Sequence, residues 1–108
     1  MVYVTASSRA EAVKLGRALV EERLDACANI FDGVTSLYWW QGSVQEDAEV
    51  SLILKTRAGL VEALTARIRE LHSYTVPCVV AWPIAQGNPP YLDWLTTETR
   101  SGADASSK

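Results

Sequence analysis

The fold is decided by residues 34–40, VTSLYWW, a run of β-branched and aromatic side chains that favours an extended strand. Residues 28–31, ANIF, have the same character and begin that strand six residues earlier. Asp32 and Gly33 interrupt the run, but the residues after Gly33 continue extended. We therefore expect a β-bulge at this point rather than a hairpin turn.

A second strand follows and predicts a long hairpin arm. Residues 41–43, QGS, signal the turn between the two strands. Residues 48–55, AEVSLILK, then alternate apolar and polar side chains, with one exception at Ile53. We expect Glu46 and Asp47 to belong to the connection at the far end of the arm.

Outward from this hairpin, the remaining periodicities predict two longer helices, two further strands and a short last helix. These elements are strand 2–5, helix 9–24, helix 56–71, strand 76–84 and helix 91–98. Ser7 or Ser8 caps the first helix and Thr56 the second, because a side-chain oxygen accepts the free N–H groups of a first turn. Pro77 and Pro83, at the ends of the last strand, indicate a sheet edge. The order β-α-β-β-α-β with an added C-terminal helix predicts an α+β ferredoxin-like sandwich, with both longer helices on one face of a four-stranded antiparallel sheet.

Composition limits the class of protein. The 108 residues suit one domain, which we place at residues 1–100, with a small polar tail at 101–108 that we expect to be disordered. A net charge of −3 with mixed signs argues against binding to nucleic acid or to an anionic membrane. No transmembrane run or secretory signal is visible, and two cysteines are too few for a disulfide framework. These features predict a cytoplasmic protein with free thiols.

The second face of the predicted sheet needs a cover. The strand at 28–40 and the last strand, at 76–84, carry apolar residues on both faces. These include Tyr38, Trp39 and Trp40 in the first and Val80 and Trp82 in the second. The two helices cover one face only. An exposed aromatic patch of this size is unusual for a monomer, so the sequence predicts self-association.

Several blocks of the chain together resemble the CutA divalent-cation tolerance family. These blocks are residues 24–27, 29–30, 33–42, 49–56, 72–77, 83–84 and 87–94, and the resemblance spans about residues 2–97. It implies a ferredoxin-like fold assembled as a compact homotrimer, similar in architecture to the P-II signal proteins. It also implies cytoplasmic tolerance of copper and other divalent metals, with copper bound by some members, and it brings no established catalysis.

Of the residues that bind copper in some members of this family, only one has a counterpart in this chain. Some metal-binding members carry a cysteine at the end of the first strand, where this chain has Val4. They carry paired histidines where this chain has Leu71 and His72, and often a glutamate where it has Cys78. The resemblance therefore supports only His72 as a ligand, and it leaves weak binding of copper or another divalent cation as the one cofactor expected.

The predicted topology brings further candidate ligands to one end of the sheet. His72, Tyr74 and Cys78 precede or begin the last strand, and the turn with Glu46 and Asp47 lies at the same end. Imidazole and thiolate together favour copper or zinc, so we take His72 and Cys78 as candidate metal ligands. The structural alternative is that His72 caps the second helix and that Cys78 is a small core residue.

The other candidates have structural interpretations. Cys27 is expected to be a buried thiol, unable to bond with Cys78 because the two residues begin strands at opposite sheet edges. Three function classes stay open: a trimeric metal-tolerance protein, a P-II-like module that binds a ligand in clefts between subunits without metal, and an enzyme with His72 as its base. Because no residue that could activate His72 is identifiable, we expect no enzyme.

Overall fold

Four strands form one antiparallel sheet, which the computed structural model describes within residues 1–101. The elements are β1 (Val2–Ala6), α1 (Arg9–Glu21), β2 (Cys27–Trp40), β3 (Ser43–Lys55), a 3-10 turn (Ala58–Leu60), α2 (Val61–Leu71), β4 (Val79–Ala81) and α3 (Pro89–Thr97). The strand order is β2-β3-β1-β4, and every pairing is antiparallel. The predicted α+β order of elements is confirmed. Most of the predicted tail, residues 102–108, lies outside the described residues.

The hairpin of β2 and β3 is the longest feature of the sheet. The register shifts between Phe31 and Val34, and Gly33 has a φ of +79°, so the predicted bulge is confirmed. Gln41 and Gly42 alone reverse the chain, with φ of +49° and +84°, which matches a two-residue hairpin loop. β3 therefore begins at Ser43, and the prediction that it begins at 48 was wrong. Its first five residues are polar or exposed, so their pattern did not indicate a strand.

Aliphatic side chains fill the space between the sheet and the two longer helices. They include Val2, Val4, Leu15, Leu19, Leu52, Leu54, Leu64 and Ile68, each at most 2% exposed. Gly16 lets α1 lie close to the sheet, because a Cβ there would stand 3.1 Å from the Cβ of Ala28. The core therefore lies on one face of the sheet, as predicted.

All three helices have boundaries that differ from the prediction, and α3 spans Pro89–Thr97 rather than 91–98. α1 ends at Glu21 rather than 24, and Arg23 then takes a φ of +58°, which stops the helix. Thr56 does not cap α2. Its hydroxyl donates to the carbonyl of Leu24 at 2.7 Å, and a 3-10 turn leads into the helix instead.

β4 is only three residues long, and the prediction of a strand over 76–84 was wrong. Pro77 and Pro83 flank it, and neither can donate to a strand ladder. One further pair of backbone hydrogen bonds joins Trp82 to Met1, at 2.9 and 2.7 Å. The edge position predicted for this strand is confirmed. Among the described residues, no helix has both the length and the apolar character needed to cross a membrane.

Candidate functional site

A cleft of about 730 Å³ opens between the hairpin arm and the segment 73–78 that leads into β4. The strands supply side chains to it from the sheet face that the longer helices leave open. Its walls include Thr5, Tyr38, Trp40, Glu49, Tyr74 and Cys78. Alternation along β3 turns Val50 into the core and Glu49 toward the cleft. The cleft is therefore a direct product of the strand register.

Glu49 is the carboxylate among the described residues that line this cleft. Its side chain is nearly buried, with 9% of the residue exposed. Its Oε2 accepts a hydrogen bond of 2.7 Å from the hydroxyl of Tyr74. Burial and this hydrogen bond raise the pKa of Tyr74, so the phenol stays protonated and donating. Nearby, the hydroxyl of Tyr38 donates to Asp47, which raises the pKa of Tyr38 as well.

His72 lies behind the cleft wall, at the end of α2, with 8% of the residue exposed. Its Nε2 donates to the carbonyl of Thr5 at 2.7 Å, and its Nδ1 accepts from the N–H of Tyr74 at 3.0 Å. This pattern assigns the neutral tautomer with its proton on Nε2. Its backbone N–H also bonds the carbonyl of Ile68 and closes the helix. A metal ion could reach either ring nitrogen only by displacing one of these hydrogen bonds.

Glu11 binds the same wall from the α1 side, at Ser73, and was not among the predicted site residues. Its carboxylate accepts from the N–H and hydroxyl of Ser7 at 3.0 and 2.8 Å, and from the N–H of Ser73 at 2.9 Å. Burial acts to raise the pKa of Glu11, but these hydrogen bonds prevail and lower it to about 2. The spacing of Ser8 and Glu11 is that of a capping box, and this motif is the sequence pattern that indicates a structural role for Glu11.

Cys78 is exposed at the rim of the cleft, so the alternative that it is a core residue was wrong. Partial burial and the charge of Glu49 raise the pKa of its thiol, which is therefore protonated at neutral pH. Cys27 is half-buried rather than buried, with its Sγ 3.7 Å from Asn29 Oδ1. Both cysteines are free and lie at opposite sheet edges, which confirms that they do not bond within one chain.

The predicted convergence of ligands is only partial. Tyr74 and Cys78 line the cleft with Glu49, whereas His72 lies behind it. Glu46 belongs to β3 and, by alternation, points to the face opposite Asp47 and Glu49. Within residues 1–101 no group of three or more histidine, cysteine, aspartate or glutamate side chains could hold a metal ion. The described part of one chain therefore does not supply a complete metal site.

The chain is similar to known proteins over most of its length. A sequence model of the CutA1 divalent ion tolerance protein matches residues 1–98. The divalent-cation tolerance protein CutA of Thermus thermophilus is 50% identical over 99 residues, which cover 92% of this chain and 96% of that protein. Its solved structure superposes with a TM-score of 0.89.

Two further relatives differ in length and in described location. The chloroplastic protein CutA 1 of rice is 47% identical over 93% of this chain, and its crystal structure gives a TM-score of 0.90. This chain spans only 56% of the length of that relative and of the mouse protein CutA. The structure of the periplasmic divalent cation tolerance protein CutA of Archaeoglobus fulgidus, 37% identical over 90% of this chain and 94% of that one, gives 0.87. Relatives thus occupy different compartments, and the cytoplasmic location stays a prediction.

Proposed function

Because the chain belongs to the CutA1 divalent ion tolerance family, we propose that it is a divalent-cation tolerance protein that binds its cation weakly. The observation that carries this proposal is the match of the family model to residues 1–98, which leaves almost none of the described chain outside it. The family is named for tolerance rather than for a catalysed reaction. The related proteins reported above all carry the CutA name, so they give no preference to the P-II-like alternative.

The working form in this proposal is a homotrimer. The support is the sheet face that α1 and α2 leave open, together with the apolar side chains of the hairpin arm and β4. Phe31, Leu37, Trp39, Val80 and Trp82 are each more than 40% exposed in the single chain. Burial of apolar surface stabilises an assembly in proportion to the area removed from water. Native mass spectrometry at micromolar concentration should show three times the chain mass, and a dominant species at 11.8 kDa would contradict the trimer.

The candidate ligands in this proposal are His72 and Cys78, and their environment explains why binding should be weak. Cys78 must lose a proton that partial burial and Glu49 help it to keep. His72 must release the carbonyl of Thr5 or the N–H of Tyr74. Each of these steps opposes the free energy of metal coordination. Copper or zinc suits a thiolate and an imidazole, and symmetry-related copies would supply the ligands that one chain lacks.

Calorimetric titration with Cu(II) and Zn(II) tests this assignment. We expect weak binding at about pH 7.5 that falls further at about pH 5.5, because protons compete with metal for both ligands. Cys78→Ser and His72→Ala should each weaken binding, and Cys27→Ser is the matched control because Cys27 lies at the opposite sheet edge. Equal affinity in the wild type, H72A and C78S at both pH values would show that neither residue is a ligand.

A further inference from the structure

The corner of the fold where β2 begins and β3 ends, residues 23–27 and 55–57, is closed around the side chain of Asp25. One oxygen of that side chain, Oδ1, accepts from the N–H of Cys27 at 3.2 Å and from the N–H of Lys55 at 2.9 Å. The N–H of Ala26 donates to the carbonyl of Lys55 at 2.9 Å. A single carboxyl oxygen therefore joins the connection after α1 to the end of β3.

The second oxygen of Asp25 is buried without a partner. No part of this residue is exposed, and Oδ2 has no hydrogen-bond partner within residues 1–101. Because Oδ2 is covered by its own chain, packing of further copies against the surface neither exposes it nor supplies a donor. An ionised carboxylate is costly at such a position, and the cost falls when the group is neutral. The closed corner therefore favours the protonated form of Asp25.

The end of α3 is attached to the same corner by two arginine residues. Arg23, in the connection after α1, pairs with Glu98 at 2.9 Å, and its carbonyl accepts from the N–H of Arg100 at 2.9 Å. Arg57, just after β3, donates to the hydroxyl and to the carbonyl of Thr99, in each case at 3.0 Å. The two segments that Asp25 joins are therefore the segments that hold the end of α3.

The charges around Asp25 do not offset its burial. The titratable side chains on the surrounding segments are those of Arg23, Cys27, Lys55, Arg57, Glu98 and Arg100. Burial raises the pKa of Asp25 to about 7, although its two N–H donors and the charge of Lys55 act in the opposite direction. Arg23 is paired with Glu98, and Arg57 donates to the end of α3. The proton on Asp25 is thus kept by the closed geometry of the corner.

We propose that Asp25 is a proton-controlled latch, which holds the corner closed while its carboxyl is protonated and lets the corner open, with release of the end of α3, when the proton passes to water. In the open corner, water reaches both oxygens of the carboxylate. A rise in pH therefore favours the open form until the closed form also loses its proton. The latch requires neither a metal ion nor a second copy of the chain, so it goes beyond the proposed function.

Hydrogen exchange of the wild-type protein in its native assembly tests the latch over a series of pH values. The protection factor compares each amide with an unstructured peptide at the same pH, so the direct effect of pH on exchange cancels. For the amides of Cys27, Lys55 and Arg100, we expect a tenfold fall in protection per pH unit between about pH 5 and about pH 7, which levels off above about pH 8. These amides should also be less protected than that of Leu52, in the core.

Two results of this series would overturn the proposal. Protection of the three corner amides that does not change with pH would show that no proton controls the corner. Protection equal to that of Leu52 at every pH would show that the corner opens only when the whole fold unfolds.

Matched variants test whether Asp25 is the group responsible. Asp25→Asn keeps an acceptor for the amides of Cys27 and Lys55 but cannot ionise, so protection at the corner should become independent of pH. Asp93→Asn makes the same change at an exposed position of α3 and should keep the wild-type dependence. A folded D25N protein with the wild-type dependence would contradict the latch, and the wild-type series decides the question if D25N does not fold.

Discussion

Glu11 in the first turn of α1 and Asp25 just beyond its last turn are both carboxylates that the fold withdraws from water, yet they hold their protons very differently. Glu11 accepts three hydrogen bonds, from Ser7 and Ser73, and its pKa is lowered to about 2. Asp25 is fully buried, and burial raises its pKa to about 7. The same chemical group therefore has opposite electrostatic behaviour at the two ends of one helix.

The difference lies first in the depth of burial, which is complete at Asp25, and then in how the hydrogen-bond donors are shared. Both oxygens of Glu11 accept a donor, so its charge is compensated on each side. At Asp25 the N–H groups of Cys27 and Lys55 both bond Oδ1, at 3.2 and 2.9 Å, and Oδ2 has no partner within residues 1–101. Two donors on one oxygen do not offset the desolvation of the whole group. The placement of donors thus matters as much as their number.

Asp25→Asn should produce the largest effect on this contrast. In the unfolded chain Asp25 titrates near its ordinary value of 3.8, but in the folded protein near 7, so the folded state keeps a proton that the unfolded state releases between these values. The free energy of unfolding of the wild type should fall by about 3 kcal/mol as pH rises from about 4 to about 7. D25N should lack this loss. Urea unfolding at several pH values measures it, and parallel pH profiles would contradict the raised pKa.

Glu11→Gln should give a smaller effect with the opposite dependence on pH. Because the pKa of Glu11 is lowered from 4.5 to about 2, its contribution is complete above about 4.5 and is lost as pH falls through about 2. At neutral pH we expect E11Q to be less stable by about 1–2 kcal/mol, with the gap closing in acid. Glu21→Gln is the control, since Glu21 is exposed at the other end of α1 and lies 4.0 Å from Arg17. A comparable loss in E21Q would show a general charge effect.

The smallest expected effect is on the exchange rates of two backbone amides, one bound by Glu11 and one by Asp25. Glu11 holds the N–H of Ser73, whereas Asp25 holds that of Cys27. In E11Q the amide of Ser73, which loses its charged acceptor, should accelerate in deuterium exchange several-fold more than the amide of Cys27 does. Mass spectrometry of peptides that contain each amide measures both rates. Equal acceleration at both amides would mean that Glu11 acts only through the stability of the whole fold, with no local effect on the cleft wall.

Sequence reasoning succeeded where a feature depends on local patterning. The bulge at Asp32 and Gly33 follows from a strand pattern interrupted by two turn-forming residues, and the edge position of β4 follows from its prolines. The first residues of β3, from Ser43 onward, were not predicted as strand because side chains on both faces of this part are largely exposed. Alternation of apolar and polar residues does not indicate a strand when both of its faces are exposed to solvent.

The cleft was harder to predict because its parts meet through tertiary contacts. Alternation placed Glu49 on a strand face, but its burial depends on Tyr74, which is 25 residues away. His72 was identified as a candidate ligand from its residue type, and only the fold shows that Thr5 and Tyr74 already occupy its two nitrogens. Long-range hydrogen bonds of this kind leave no periodic signal in a single sequence.

The bulge in β2 adds one residue to the hairpin arm without changing which side chains share a face. Three steps along β2, from Phe31 to Val34, match only two along β3, from Ser51 to Glu49. Beyond the bulge, the pairing of Tyr38 with Gln45 and of Trp40 with Ser43 puts both aromatic residues on the face of Glu49 and leaves Trp39 on the other. Deletion of Gly33 would make two steps of β2 match two steps of β3, so the pairs from Val34 to Trp40 would stay as they are. The extra residue therefore bends and twists the arm while both of its surfaces keep their side chains.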